Sequence, residues 1–415
     1  CSENRKVVNW RIIFWGLSIQ LFFAIFIFIL PIGRTVFLFI NKIFVAILDS
    51  AMQGSLFLFG RIAIQPGTVS ASGEESLGYS LFFQGLMTIV FFAAVVGALY
   101  YLKVFPIMIR GFARFFTRTM KISGAESLGA SSNIFVGVES ALIIKPHLKE
   151  MTRSELTTIL AASMGTIAST VLAVYVSFLQ GTLPTIAGHL ISASFLSAPA
   201  AVMMAKLIVP ETESPKTMGL NIKPYYERED NLIMSVINGA NSGLRYLSGI
   251  AALLLAFLGI LALLDSILGW LGGGINSLLG LGFEWSFRNI LGYISYPFTV
   301  ILGVPPADAL EISKLIGERF VATEVTSYQN LARLLSEGAL SHPRSAVIAS
   351  YALCGFAHIA SLAIFVGGIG ALVPDRLKDL SRLGFKALLA ATLACLMTGA
   401  IAGTFVSSSS ILLGG

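Results

Sequence analysis

Residues 130–146 read ASSNIFVGVESALIIKP. An asparagine (Asn133), a carboxylate (Glu139) and a hydroxyl (Ser140) stand in an apolar run, with Gly137 between Asn and Glu and with Lys145 and Pro146 at its end. In a soluble protein this would be a helix end with a solvated turn. The surrounding chain excludes that reading. Of 415 residues, 55% are hydrophobic and 12% charged, where a soluble domain carries about twice that charged fraction. Mean hydropathy is +0.82. Seven stretches reach the roughly 20 apolar residues that cross a bilayer: Ile12–Pro31, Tyr79–Leu102, Leu156–Leu179, Leu190–Val209, Tyr246–Leu268, Ala346–Leu372 and Leu383–Phe405. Forty glycines suit close helix packing in lipid. The expectation is an all-α polytopic membrane protein, with 130–146 as a re-entrant helical hairpin.

The net charge of +6 marks orientation and not a nucleic-acid partner. Arg5, Lys6 and Arg11 precede the first span, Lys103, Arg110, Arg114, Arg118 and Lys121 follow the second, and Arg376, Lys378, Arg382 and Lys386 precede the last. Basic residues beside spans mark the cytoplasmic side. The clusters agree if the first span runs outward, 34–60 lies along the surface as an amphipathic helix, and 79–102 runs inward. The Arg110/Arg114/Arg118 stripe at i+4 spacing predicts a second surface helix, in contact with lipid headgroups. Cys1, Cys354 and Cys395 form no metal spacing, and the last two read as small buried hydrophobes. Cys1 admits a lipoprotein reading, which the adjacent basic cluster opposes.

The long polar loop 210–230 divides the chain, and the halves correspond. A Glu-bearing segment too short or too polar to span precedes a span interrupted by Gly, Ser or Thr in each half: 124–146 before 154–176, and 310–335 before 344–366. Paired interrupted segments point to a transporter with inverted repeats, two re-entrant hairpins, discontinuous transmembrane helices and a midplane site. The expected organisation is scaffold and interfacial helices over 1–122, the first repeat over 123–209, the loop with further scaffold and interfacial segments over 210–305, and the second repeat over 306–415.

Ionisable groups at membrane depth cost several kcal/mol and face a cavity or a partner. Glu139, Glu324, His358 and, less clearly, Glu311 qualify. For Glu139 the alternative is pairing with Lys145 at the hairpin edge. For His358 it is packing in an apolar face. His358 and Ser361 share a helical face, which admits a hydrolase reading, but no orienting acid is evident nearby in sequence. Asn133, Thr166 and the carbonyls of Val136 and Ile167 would form an oxygen-only set of the kind hard cations take at half-helix ends. No nucleotide-binding or zinc motif is present.

These residues resemble the concentrative nucleoside transporters. SNIFVG, ESALIIKP and MTRSELTTILAASMGTIAST resemble that family's first hairpin and following helix; SASFLSAPAAVMMAKLIVPETE (192–213) and the stretch from ALSHPRSAVIASYALCGFAHIASLAIF to LGFKALLAATLACLMTGAIAGTF resemble later helices. The resemblance covers nearly the whole chain. It implies a homotrimer in a bacterial inner membrane, a scaffold with a transport domain that shifts like an elevator, and one helix preceding CSENRKVVNWR. It implies sodium at Asn133, Val136, Thr166 and Ile167, and nucleoside contacts at Glu139, Val171, Glu324, Phe356, His358 and Ser361, with Glu324 and Ser361 on ribose hydroxyls and Phe356 against the base. The hairpin motif Gly-Gln-Thr-Glu-Ala-Pro is here Gly137-Val138-Glu139-Ser140-Ala141, which loses the Gln and puts Val138 at the Thr. Asn-Glu-Phe is here Thr323-Glu324-Val325, and Phe-Ala-Asn is Phe356-Ala357-His358. The ribose side survives and the base side changes, so altered base preference or a related small polar substrate is expected. His358, titrating near neutral pH when unperturbed, makes proton coupling the rival to sodium. A channel or membrane sensor would need a continuous polar pore, which the isolated polar residues do not supply.

Overall fold

The computed structural model describes residues 2–65, 68–69, 73–137, 140–225, 229–280 and 282–406, and among these every regular element is a helix. The first crossing is α1 (Trp10–Phe28), capped by Asn9, whose side chain accepts from the Arg11 N–H. Next comes α2 (Pro31–Phe59), entered through proline at its first turn. Its buried residues Phe37, Phe44, Leu48 and Ala51 form one stripe. Asn41 bonds the Pro184 carbonyl (3.1 Å) and the Gly188 N–H (2.9 Å), and Phe44 packs on Phe92.

The next crossing combines a π-turn over Leu81–Leu86 with α3 (Thr88–Tyr101). Then α4 (Val104–Met120) buries Phe105, Ile109, Ala113 and Phe116 and leaves Arg110, Arg114 and Arg118 exposed.

Hairpin 1 follows as α5 (Gly124–Ser132), α6 (Ser140–Ile143) and α7 (Lys145–Leu148). The first broken helix is α8 (Arg153–Gly165) and α9 (Ser169–Leu179), followed by α10 (Ile186–Ile208). Reciprocal capping boxes start α5 (Ser123 with Glu126) and α8 (Thr152 with Glu155). Both capping carboxylates are buried beside one lysine. Lys206 Nζ of α10 lies 2.5 Å from Glu126 Oε1, 2.9 Å from Ser154 Oγ and 3.2 Å from Glu211 Oε2, while Ser123 Oγ donates to Glu155 Oε1 at 2.5 Å. This network fixes the base of hairpin 1 to α8 and α10.

The longest helix is α11 (Leu232–Leu279). Where α3 crosses it the backbones touch: a Cβ on Gly239 would come within 2.5 Å of the Ala93 carbonyl oxygen, the small-residue packing used in lipid. Hydropathy marked only Tyr246–Leu268 of this helix, because Asn238, Asn241, Ser242 and Arg245 dilute its first turns.

After α12 (Phe287–Ile301), hairpin 2 is α13 (Pro306–Val321) and α14 (Glu324–Ser336), the second broken helix is α15 (Pro343–Leu353) and α16 (Ile359–Leu372), and α17 (Leu377–Phe405) ends the described chain. The 346–372 span is therefore discontinuous, as the repeat reading requires. Its break lies on the break of the first. Gly355 has φ +149°, and a Cβ there would fall 2.6 Å from Cys395 Sγ and 3.0 Å from the Gly165 backbone. Only glycine satisfies both the backbone angle and this approach.

Candidate functional site

The turn of hairpin 1 is made by Asn133. Its N–H and its side-chain Nδ2 both donate to the Gly129 carbonyl (3.1 and 2.9 Å), and its Oδ1 accepts from Ser140 Oγ at 2.8 Å. The asparagine thus ends α5 and staples it to α6. The Phe135 carbonyl then accepts from Ser169 Oγ at 2.6 Å, which fastens the turn to the start of α9. Asn133 and Val136 therefore stand beside the first break, where Thr166 is extended and Ile167 is fully buried. Thr166 Oγ1 donates to the Ala162 carbonyl at 2.9 Å, and its lone pairs remain available to a cation. The four residues read as an oxygen set thus flank the two sides of the Phe135–Ser169 contact. Val138 and Glu139 lie outside the described residues.

Beside this junction is a cavity of about 250 Å³. Gly137, Val171, Phe356 and Ser361 line one side; Arg245, Tyr246, Gly249 and Leu253 of α11 line the other. The α11 positions recur at helical spacing, so one face of that helix forms a wall. A second cavity of about 360 Å³ shares Thr170 and Tyr246 with the first and reaches Lys145, Tyr100 and Ser235. It extends toward the end of α3 where the basic cluster begins.

Glu324 and His358 do not line the smaller cavity; they stand behind Ser361. His358 caps α16: Nδ1 accepts the Ser361 N–H (3.2 Å), which assigns the proton of the neutral ring to Nε2. Nε2 lies 2.8 Å from Ser361 Oγ and 2.6 Å from Glu324 Oε2. One N–H cannot point at both acceptors. Glu324 Oε2 therefore shares this N–H with Ser361 Oγ, and buried Thr323 Oγ1 has no hydrogen bond among the described residues. The other carboxylate oxygen accepts from Tyr175 O–H at 2.6 Å. Tyr175 stacks on Tyr328 with ring centroids 4.4 Å apart, and Tyr328 O–H donates to the Ser350 carbonyl at 2.7 Å. An orienting acid for His358, missed in sequence, is therefore present. In a catalytic triad the acid holds the nitrogen opposite the nucleophile. Here acid and hydroxyl share Nε2, so the arrangement is not hydrolytic.

Glu311 is paired with Lys314 at 2.7 Å on the side of α13 and does not join the site. Sequence reasoning missed Tyr175, Arg245, Tyr246 and Arg319. Arg319 of hairpin 2 is fully buried and donates to the Ala352 carbonyl at 2.6 Å, one residue before the end of α15. A cation at the negative end of a half-helix dipole satisfies that carbonyl. Its signal was present, an arginine in a hairpin limb, but its partner lies 33 residues on.

Three family profiles match the chain: "Na+ dependent nucleoside transporter C-terminus" over residues 189–403, "Na+ dependent nucleoside transporter N-terminus" over 1–62, and "Nucleoside recognition" over 82–182. The chain belongs to the concentrative nucleoside transporter family. It is 36% identical to the uncharacterized transporter YutK of Bacillus subtilis over 98% of this chain and 95% of that protein. It is also 36% identical to solute carrier family 28 member 3 of Mus musculus over 97% of this chain, which spans 56% of that longer protein. A solved structure of CNTnw in an inward-facing substrate-bound state superposes with a TM-score of 0.85 at 32% identity, covering 97% of this chain and 93% of that one. A CNTnw variant in an outward-facing state gives 0.86 at 32% identity, with the same coverage. As a family member with all-helical, multiply crossing architecture, the chain is a transporter of the bacterial inner membrane and not an enzyme.

Proposed function

We propose that the protein is a sodium-coupled symporter of nucleosides or close nucleoside analogues. The observation that carries this reading is the cavity between hairpin 1, the second broken helix and the α11 wall, with the Asn133–Thr166 junction at its edge. Sodium would take oxygens from Asn133, Val136, Thr166 and Ile167, a set without nitrogen or sulfur, as hard cations prefer. The nucleoside would pack on Phe356 and Val171 and bond Ser361, with Glu139 and Val138 facing the base.

Glu324 presents a buried carboxylate oxygen that shares one imidazole N–H with Ser361, and a ribose hydroxyl would supply a full donor. His358 stands in front of it, so a ribose that reaches Glu324 displaces the imidazole from Nε2 contact. This is where the chain departs from the family's asparagine, and it favours substrates that compensate for that displacement.

The hairpins and broken helices would move as one body along α3 and α11, carrying the site across the membrane in an elevator-type step. The inward-facing, intermediate and outward-facing states described for CNTnw support such a cycle. The resemblance further implies a homotrimer, with one site per protomer. The energetics suffice: one sodium ion entering down about 100 mV gains about 2.3 kcal/mol, and a tenfold gradient adds roughly 1.4 kcal/mol. Together they could concentrate a neutral substrate roughly 500-fold.

The test is uptake of labelled uridine and adenosine into proteoliposomes under an inward sodium gradient, an inward proton gradient, or neither. Sodium-driven accumulation is expected. Accumulation driven by protons alone would overturn the sodium assignment and move coupling to His358 or Glu139. Equilibration without accumulation would mean a channel.

A further inference from the structure

The basic stripe of α4 lies apart from the site described above, and it borders a formed cavity. Arg110 and Arg114, one helical turn apart, face Lys223 across a space of about 160 Å³, with Gly124 and Asn221 on its floor and rim. All three cations are exposed, and none has a hydrogen bond or ion pair among the described residues. Three unpaired cations around so small a space repel one another, and an anion relieves that repulsion. A phosphate group fits both the size and the fork geometry of arginine.

The adjoining face of α4 identifies the source of the phosphate. Ile107, Gly111 and Phe115 recur every four residues beside the arginines, and Ile107 is 66% and Phe115 40% exposed. A helix with one buried face, one exposed apolar stripe and cations between them lies at the headgroup level of a bilayer. We propose that this cavity binds the phosphate of an anionic phospholipid, whose acyl chains run along Ile107 and Phe115.

The site is also a joint. Its far wall is the 217–223 loop, and that loop is tied to the start of hairpin 1: the Gly124 N–H donates to the Thr217 carbonyl at 2.8 Å and the Ala125 N–H to Thr217 Oγ1 at 3.1 Å. A bound headgroup therefore connects the interfacial helix to the base of hairpin 1.

The experiment is native mass spectrometry of the full chain, delipidated and then titrated with phosphatidylglycerol or phosphatidylcholine. Wild type should retain one phosphatidylglycerol per protomer at activation energies that strip phosphatidylcholine. The triple variant Arg110→Gln/Arg114→Gln/Lys223→Gln should weaken that retention roughly fifty- to hundredfold, and Arg118→Gln, outside the cavity, by less than about twofold. Equal retention by wild type and triple variant, or equal retention of the two lipids, would overturn the site. A parallel titration with inorganic phosphate separates the sources: protection of the wild-type melting temperature by millimolar phosphate matching that of phosphatidylglycerol would overturn the lipid in favour of a free anion. An unchanged melting temperature of the untreated triple variant shows that it is folded.

Discussion

Hairpin 1 and hairpin 2 hold equivalent places in the two halves, but different chemistry holds them. Hairpin 1 turns on neutral bonds from Asn133 to Gly129 and Ser140, and its return limb is broken into two helices of four residues each. Among the described residues, Glu126 at its base meets Lys206. Hairpin 2 is two full helices of 16 and 13 residues, and two of its charges are buried beside the turn: Arg319 on the end of α15 and Glu324 against His358 and Tyr175. The difference teaches a division of labour. The oxygens around Asn133 suit a bare cation, which a nearby fixed positive charge would repel. A turn whose buried carboxylate shares a single imidazole N–H with a serine suits a ligand that brings hydroxyls.

The largest effect that would sharpen this contrast is at the base of hairpin 1. Removing one partner of a buried pair leaves an uncompensated charge, so Lys206→Met should destabilise the protein by about 3–5 kcal/mol. Thermal melts would show this, and adding Glu126→Gln should recover a large part of the loss. A melt unchanged by Lys206→Met would mean that the network is solvated and does not anchor the hairpin. At the crossing of the two breaks, Gly355→Ala should cost at least about 1–3 kcal/mol in backbone strain, before any clash with Cys395. Transport should fall with stability there, and a fully active, fully stable Gly355→Ala would show that the breaks do not touch.

Smaller effects follow at the turns. Glu324→Gln removes a charged acceptor worth about 1.5–3 kcal/mol, so nucleoside KM should rise roughly ten- to a hundredfold. His358→Asn should act in the opposite direction. It frees Glu324, and nucleoside KM should fall about two- to tenfold, for a released contact worth about 0.5–1.5 kcal/mol. A rise in KM instead would make the imidazole a substrate contact and not an obstruction.

Much of this was legible in sequence where the signal was local. Period, length and flanking charge marked the crossings, and polar residues inside apolar runs marked both hairpins and both breaks. Val171, Phe356 and Ser361 line one cavity, and the Phe135–Ser169 bond brings the turn of hairpin 1 to the start of α9. What sequence did not carry was partner choice. Tyr175 bonds Glu324 across 149 residues, and Arg319 finds a helix end and not a carboxylate. The first turns of α11 were missed for a physical reason. Their polar residues face cavities, so hydropathy underrates a helix that is nonetheless continuous from Leu232.

The central claim is that Asn133 serves the cation and Glu324 the nucleoside, and sodium dependence measured at saturating nucleoside tests it most directly. Linkage couples the two affinities when both sites are subsaturated, so uptake should be titrated with sodium while uridine is held well above its KM in each variant. Asn133→Ala should raise the half-saturating sodium concentration by about tenfold or more, the loss of one charged contact, while Glu324→Gln should leave it within about twofold of wild type. Equal shifts in both variants would contradict the division between the hairpins and place sodium and nucleoside in one shared site.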